Sequence, residues 1–390
     1  MLVMSVMLVS APMYFIQLHF GMTIYYVLQL LLLGGVALSI ASATNRSQFH
    51  IQKILACIFL ITTLVYFLVV INHEYRQLSS EMLRMLFGYV GKMMVIFLLY
   101  YIYSNNYKFV IQYYIHIGLV AVCSSSIVFF LVSSDVWPMG YDYIQINAGK
   151  YIYDFHLTFS SSVKTVSGIM IPRMQWFFDE PGAYAFFIVT CILLNDLYTK
   201  RRSYNRLLFI GGCISFSFSF YVFTILYILL HYLVPGDKTR APFQSMRTIF
   251  VLLLGGSVTF LLYAVFEPAS YMLDHMFSRF EYDSEGGTLK GDNRFYNSIW
   301  PVSLMFGDGL VGTRDSVIKE VFNIGVVGLI ASYLPLIVCI VRSLWLRQRD
   351  VFIACMLTFA MLAQRPVIDK MFLFIFCFII LFRTFDVKKI

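Results

Sequence analysis

Apolar runs of about 20 residues recur from one end of this chain to the other, and each is long enough to cross a bilayer as a helix. Of the 390 residues, 59% are hydrophobic and only 13% are charged, whereas about a quarter of the residues in a soluble protein are charged. The sequence therefore predicts an all-α polytopic membrane protein, with residues 1–390 in a single membrane domain. The predicted spans, about twelve, are residues 2–19, 22–42, 53–72, 83–103, 109–132, 181–198, 206–218, 219–234, 249–266, 317–341, 351–364 and 370–385.

The number of spans depends on residues 207–234, an apolar stretch that is long for one crossing and short for two. We divide it at Ser215–Ser219, because serine hydroxyls can bond the backbone groups that a helix break sets free. A single crossing would also move three cations to the other side of the membrane: Lys238, Arg240 and Arg247. Eleven spans is the alternative.

The distribution of charge predicts the orientation. With both termini cytoplasmic, sixteen of the 29 Lys and Arg residues but only four of the 21 acidic residues fall in cytoplasmic segments. Cytoplasmic loops of membrane proteins carry such a basic excess. The net charge of +8 is therefore a topology signal, and we expect no nucleic-acid partner.

Two long loops fall on the opposite side, at residues 133–179 and 267–316. Long loops without a core of their own are uncommon and are usually functional. In the first loop, aromatic residues alternate along Tyr151–Phe159, which predicts a short strand with one aromatic face. Such a face would stack on sugar rings or form a belt of Tyr and Trp at headgroup level, and we favour the belt.

The segment Ile171–Tyr184 places Arg173, Asp179 and Glu180 directly before a predicted span that opens at Pro181. Charge beside hydrocarbon costs free energy and often marks a functional site. The structural alternative is an acidic helix N-cap with an arginine partner. We favour a site, because an arginine guanidinium suits phosphate or carboxylate and one capping residue would suffice.

Further cations are candidates for the same site. Arg294 and Arg314 bracket the turn Phe306–Gly309, and together with Arg173 they would suit a diphosphate at the membrane surface. The alternative is that the two loop arginines pair with nearby aspartates. Lys92 lies deep in the fourth predicted span and would pair with an anionic lipid headgroup or a buried acid.

The sequence lacks the motifs of several common kinds of catalytic and binding site. No His or Cys pair stands at metal-ligand spacing, and neither a phosphate-binding loop nor a nucleophile elbow occurs. We therefore expect no cofactor, and any energy source would already be in the substrate.

These motifs resemble a known family. The run from Arg173 through Phe178-Asp-Glu-Pro-Gly-Ala183 is similar to the arginine and Glu-Pro motif of bacterial O-antigen polymerases (Wzy) and O-antigen ligases (WaaL). Arg294, Trp300, Phe306–Gly309 and the helix opening at Gly325–Gly328 resemble their second periplasmic loop and the following helix.

The resemblance implies a GT-C-like glycosyltransferase of the bacterial inner membrane, whose partners are the lipid bilayer and undecaprenyl-pyrophosphate-linked oligosaccharides. Such enzymes need neither metal nor nucleotide. Arg173 and Arg294 would neutralise the departing diphosphate, and Glu180 or Asp179 would orient an arginine or accept the proton of the attacking hydroxyl. The remaining candidates are substrate-binding residues: Arg314, Lys92, Asp315, Trp176 and Trp300.

Within the family, ligases carry a histidine where this chain reads Thr313–Ser316 without one, which favours a polymerase that joins oligosaccharide repeat units. The catalytic base then stays open between Asp315 and Glu180. A ligase is the alternative, and a lipid-linked oligosaccharide flippase is an alternative of another class. A flippase would show repeat symmetry, which is not visible here. A chain-length regulator is a protein partner of the kind that a polymerase would use.

Overall fold

The computed structural model describes residues 54–65, 80–147, 150–166, 169–178, 180–234, 305, 317–364 and 371–385. The chain divides into two compact units, residues 113–293 and residues 1–112 with 294–390. The predicted spans 2–19, 22–42 and 249–266 lie outside the described residues, as does the second long loop apart from Met305.

Helices make up most of the described chain. Their bounds are α1 Ile54–Val65, α2 Ser80–Ser133, α3 Pro181–Leu194, α4 Arg202–Ile214, α5 Phe218–Leu233, α6 Val317–Trp345, α7 Arg349–Gln364 and α8 Met371–Phe385. A π-helical turn, Asn195–Thr199, extends α3.

Among the described residues, three helices are long and apolar enough to cross a membrane: Asn106–Ser133, Pro181–Thr199 and Gly325–Trp345. Three shorter apolar helices accompany them, Ile54–Val65, Ser219–Leu233 and Leu373–Phe385. The mostly helical chain thus fits a membrane protein, while twelve spans stay a prediction.

Two long helices are interrupted close to the predicted boundaries. In α2, Asn106 leaves the helical conformation (φ −149°, ψ 73°), and its Oδ1 accepts a hydrogen bond from the Phe109 N–H at 3.2 Å, as an N-cap does. In α6, Gly325 adopts φ 71° and ψ 173°, a conformation open to glycine, and the apolar span begins there. This start agrees with the helix opening at Gly325 that the resemblance implied, whereas the predicted span 317–341 began eight residues earlier.

The predicted division at the serine-rich break is also confirmed. Helix α4 ends at Ile214 and α5 begins at Phe218. The Ser215 hydroxyl donates to the Gly212 carbonyl at 2.6 Å and accepts from the Ser217 N–H at 3.2 Å, so it satisfies backbone groups that the break exposes. Because the Phe209 ring lies 5.9 Å from Tyr227, the two helices fold back as a hairpin.

The all-α prediction omits a four-stranded antiparallel sheet between α2 and α3. Its strands are paired in chain order: β1 Asp142–Asn147, β2 Lys150–Asp154, β3 Phe159–Val166 and β4 Ile169–Trp176. The sequence analysis singled out only the alternation over Tyr151–Phe159, so it predicted one strand where four form.

The single strand predicted over Tyr151–Phe159 is two strands joined by a turn. His156 takes a left-handed conformation (φ 63°), and its N–H donates to the Asp154 carboxylate at 2.7 Å. Tyr153 then pairs with Ser160, and Asp154 pairs with Phe159. Paired residues point to the same face of a sheet, so Phe159 lies on the face of Asp154 and not on that of Tyr153. The prediction of a single aromatic face is therefore wrong for Phe159.

A buried cluster fixes the sheet to the helices. Val128 and Val132 near the end of α2 pack with Phe155 and Met174 of the sheet and with Ile214 at the end of α4. The sheet therefore rests on the ends of apolar helices, with β4 leading directly into α3.

Candidate functional site

Arg173 lies in β4, a strand held on one side by β3. The Ser160 hydroxyl donates to the Arg173 carbonyl oxygen at 3.0 Å, which fixes the backbone at this position. Met174, the next residue, packs into the buried cluster, so Arg173 lies on the other face of the sheet. Its side chain is half-buried, which places a permanent positive charge on a rigid strand close to apolar helices.

The turn from β4 into α3 is closed by Gln175. The Phe178 N–H donates to the Gln175 carbonyl oxygen at 3.0 Å, and the Gln175 side-chain amide donates to the Phe178 carbonyl oxygen at 2.8 Å. Gln175 is fully buried, and its Oε1 has no hydrogen-bond partner among the described residues. One side chain thus sets the path of the chain between Arg173 and the helix.

Trp176 occupies the inside of this turn. It adopts a left-handed conformation (φ 47°), which is uncommon for a bulky residue, and its indole stacks on Phe187 with ring centroids 6.2 Å apart. The side chain is 8% exposed. These contacts give Trp176 a packing role, and its binding of substrate stays a prediction.

Glu180 is the N-cap residue of α3, and Pro181 stands in the first turn as predicted. The Glu180 carbonyl accepts from the Tyr184 N–H at 3.3 Å, while the carboxylate makes no capping hydrogen bond in the described helix. Glu180 thus stands at the positive end of the helix dipole without a side-chain capping bond, and the choice between a site and a structural role stays a prediction. The partial positive charge of this helix end suits an anion.

The sequence analysis missed several buried polar side chains of α2, α3 and the β2–β3 turn. The Ser125 hydroxyl of α2 and the Thr158 hydroxyl of the β2–β3 turn lie 3.2 Å apart, and both residues are fully buried. Tyr184 of α3 is also fully buried. The run of hydroxyls at Ser124–Ser126, inside an apolar stretch, was the available signal.

Lys92 lies in the other compact unit, in the first half of α2. Its Nζ lies 6.0 Å from the centroid of the Phe374 ring in α8, a distance at which a cation is attracted to an aromatic face. The half-buried ammonium therefore has an aromatic neighbour within its own unit.

The other candidates lie outside the described residues: Asp179, Arg294, Trp300, Arg314 and Asp315. The meeting of Arg173 with Arg294 stays a prediction. In the part of the chain that the structure describes, no group of three or more His, Cys, Asp or Glu residues could hold a metal ion.

Comparison with known proteins identifies no relative of this chain. No protein-family model matches the chain, and no curated protein or solved structure is detectably similar to it. The resemblance to O-antigen polymerases thus depends on the motifs alone.

Proposed function

We propose that this protein is a multi-pass membrane glycosyltransferase that joins undecaprenyl-pyrophosphate-linked oligosaccharide repeat units into a polysaccharide. The observation that carries the proposal is the joint between β4 and α3. There, a half-buried arginine on a rigid strand and the N-terminus of an apolar helix are separated by one tightly bonded turn. A lipid diphosphate would present its charge at this level of the membrane.

The chemistry follows from the charges. A hydroxyl oxygen of the incoming repeat unit attacks the anomeric carbon of the growing glycan, and the bond from that carbon to the diphosphate oxygen breaks. The electron pair stays on the diphosphate, whose growing charge the Arg173 guanidinium and the helix N-terminus stabilise. Glu180 accepts the hydroxyl proton or orients an arginine, with Asp315 as the other candidate base.

A gene deletion, restored with variants and read as a glycan ladder on a gel, tests the proposal. Deletion should leave glycans of a single repeat, whereas a ligase would leave its acceptor unmodified and a flippase would leave lipid-linked repeats in the cytoplasm. Arg173→Ala should abolish long chains and leave single repeats. Arg202→Ala is the matched control, because Arg202 is an exposed cation at the start of α4, beyond the far end of α3.

Glu180→Gln separates charge from shape in the same assay. The substitution keeps the size of the side chain and removes its charge, and the amount of folded protein is measured beside the ladder to separate loss of activity from loss of protein. A general base contributes about 10²–10⁴-fold to rate, so chains should become much shorter if Glu180 is the base. Full-length chains from both the Arg173 and Glu180 variants would refute the assignment.

A further inference from the structure

Exposed apolar side chains cluster with the half-buried rings of Trp137 and Tyr141 where the end of α2 leads into the sheet. We call this surface the rim patch and define it by Val136, Trp137, Met139, Tyr141, Tyr143 and Leu157. Val136 is 62% exposed, and Met139 and Tyr143 are each 61% exposed. Apolar side chains held in the open usually mark an interaction surface.

The backbone fixes the first part of this patch. At the end of α2, Asp135 adopts a left-handed conformation (φ 56°), and the Val136 N–H donates to the Leu131 carbonyl at 2.9 Å, which is a Schellman helix end. The Trp137 indole N–H then donates to the Gly140 carbonyl at 2.6 Å. These bonds close a compact loop that presents Val136 and Met139 outwards.

The second part is a set of stacked tyrosines. The Tyr143 ring lies 5.2 Å from Tyr141 and 4.9 Å from Tyr153, and Phe155 packs beneath Tyr141 at 5.3 Å. The Tyr143 hydroxyl donates to the Tyr141 hydroxyl at 3.2 Å, and this bond raises the pKa of Tyr143 to about 12. Tyr143 is thus uncharged at neutral pH, and the stacked rings have apolar faces and polar tips, as in the aromatic belts at membrane surfaces.

The depth of the patch follows from the length of the helix. The span Asn106–Ser133 has 28 residues and is about 42 Å long, against about 30 Å for the hydrocarbon core. Exposed Lys108 keeps the opposite end near its own headgroups, and a helix longer than the core tilts, so the sheet-side end at Ser133 lies just past the core, in the headgroup layer.

Ser125 lies about 12 Å before the helix end, and its hydroxyl contacts Thr158. The turn that carries exposed Leu157 therefore lies on the membrane side of Val136 and Met139.

We propose that the rim patch lies in the phospholipid headgroup layer and holds the sheet against the membrane surface. Lipid is favoured over sugar as the occupant, because Val136, Met139 and Leu157 offer no polar group to sugar hydroxyls. The patch also follows directly on the candidate membrane span Asn106–Ser133, which again favours lipid. If the proposed polymerase activity is also correct, the docked sheet holds Arg173 at the depth of a lipid diphosphate.

Spin labelling measures this depth without any glycan substrate. The full chain with Met139→Cys is labelled, reconstituted in nanodiscs of phosphatidylethanolamine and phosphatidylglycerol, and exposed to oxygen or to a water-soluble nickel complex. Val136→Cys is the second variant, and labelled wild-type protein gives the background from native cysteines. Val120→Cys is the deep reference, because Val120 is exposed at the middle of the span.

We expect the oxygen-to-nickel accessibility ratio at 139 to fall below that at 120 and to exceed that of free label in buffer severalfold. A ratio equal to that of free label at both 136 and 139 would overturn the proposal. So would a label that is open to nickel in the bilayer and becomes protected only when lipid-linked oligosaccharide is added. Loss of polymerase activity in the gel assay would leave this depth measurement unaffected.

Discussion

Gln175 shows how one uncharged residue sets the geometry of a charged site. Both polar groups of the Phe178 backbone bond to Gln175, one to its carbonyl and one to its side chain. Arg173 precedes this closed turn and Glu180 follows it. The distance between guanidinium and carboxylate therefore depends on a side chain that would itself touch no substrate.

Gln175→Glu should destabilise the protein in a pH-dependent way. The ionised carboxylate cannot donate to the Phe178 carbonyl, and leaving that buried carbonyl unpaired costs about 1–3 kcal/mol. Burial raises the pKa of the introduced carboxyl above its unfolded value, so the protonated form, which can donate, restores stability at low pH. The loss should grow as pH rises through the folded-state pKa.

Thermal unfolding in detergent between pH 5 and pH 8 measures this effect. Gln145→Glu is the matched control, because Gln145 is exposed on β1 and its substitution should be nearly neutral across the range. A pH-independent loss at position 175, equal to that at position 145, would show that the Phe178 bond contributes little.

The sequence revealed the charged residues of the site and missed the uncharged ones. Arg173 and Glu180 were visible because ionised side chains are rare beside an apolar run. Gln175, Ser125 and Thr158 gave no comparable signal, since uncharged polar residues are common. The contact between Ser125 and Thr158 joins residues 33 positions apart and exists only once the sheet rests on α2.

At the scale of elements, two glycines and one polar network bring α4 and α5 together with α2 and α3. A Cβ at Gly212 of α4 would collide with the Phe220 ring of α5, and one at Gly211 with Val122 of α2. At the other end, the Asp196 carboxylate accepts from the Asn205 amide at 2.8 Å and from the Tyr227 hydroxyl at 2.7 Å. Close backbones and one bridging acid thus hold the hairpin on α3.

The hairpin was predictable and the sheet was not. A stretch of 28 apolar residues fits neither one crossing nor two, and serines at its middle identified where the chain turns. Strand β3, Phe159–Val166, carries three consecutive serines and no strict alternation, so its pairing with β2 and β4 is decided by neighbours that a single segment does not reveal.

Gly212→Ala should loosen this hairpin. The added methyl group overlaps a phenylalanine ring that is packed on several sides, and overpacking of this kind costs about 1–3 kcal/mol. Ser203→Ala on the same helix is the control, because Ser203 is exposed and alanine favours helix. Thermal unfolding should show a lower midpoint for Gly212→Ala alone, and equal midpoints for both variants would contradict the close packing.

At the scale of the whole molecule, α3 with its π-helical turn separates two different surfaces. The span Pro181–Thr199 has 19 residues and is about 28 Å long, close to the thickness of the hydrocarbon core. The sheet and Glu180 lie at one end, and exposed Lys200, Arg201 and Arg202 follow the other. A basic turn next to a span predicts the cytoplasmic side, which would place the sheet outside.

Cysteine labelling tests this orientation. Gln145→Cys on β1 and Ser203→Cys at the start of α4 both replace exposed residues, so neither change should disturb packing. In right-side-out vesicles, a membrane-impermeant maleimide should label position 145 at once and position 203 only after permeabilisation, with wild-type protein as the background. The reverse pattern would invert the topology and remove Arg173 from the outer surface. Labelling of both positions before permeabilisation would show that Pro181–Thr199 does not cross the membrane, and the proposed lipid-diphosphate site would then lose its foundation.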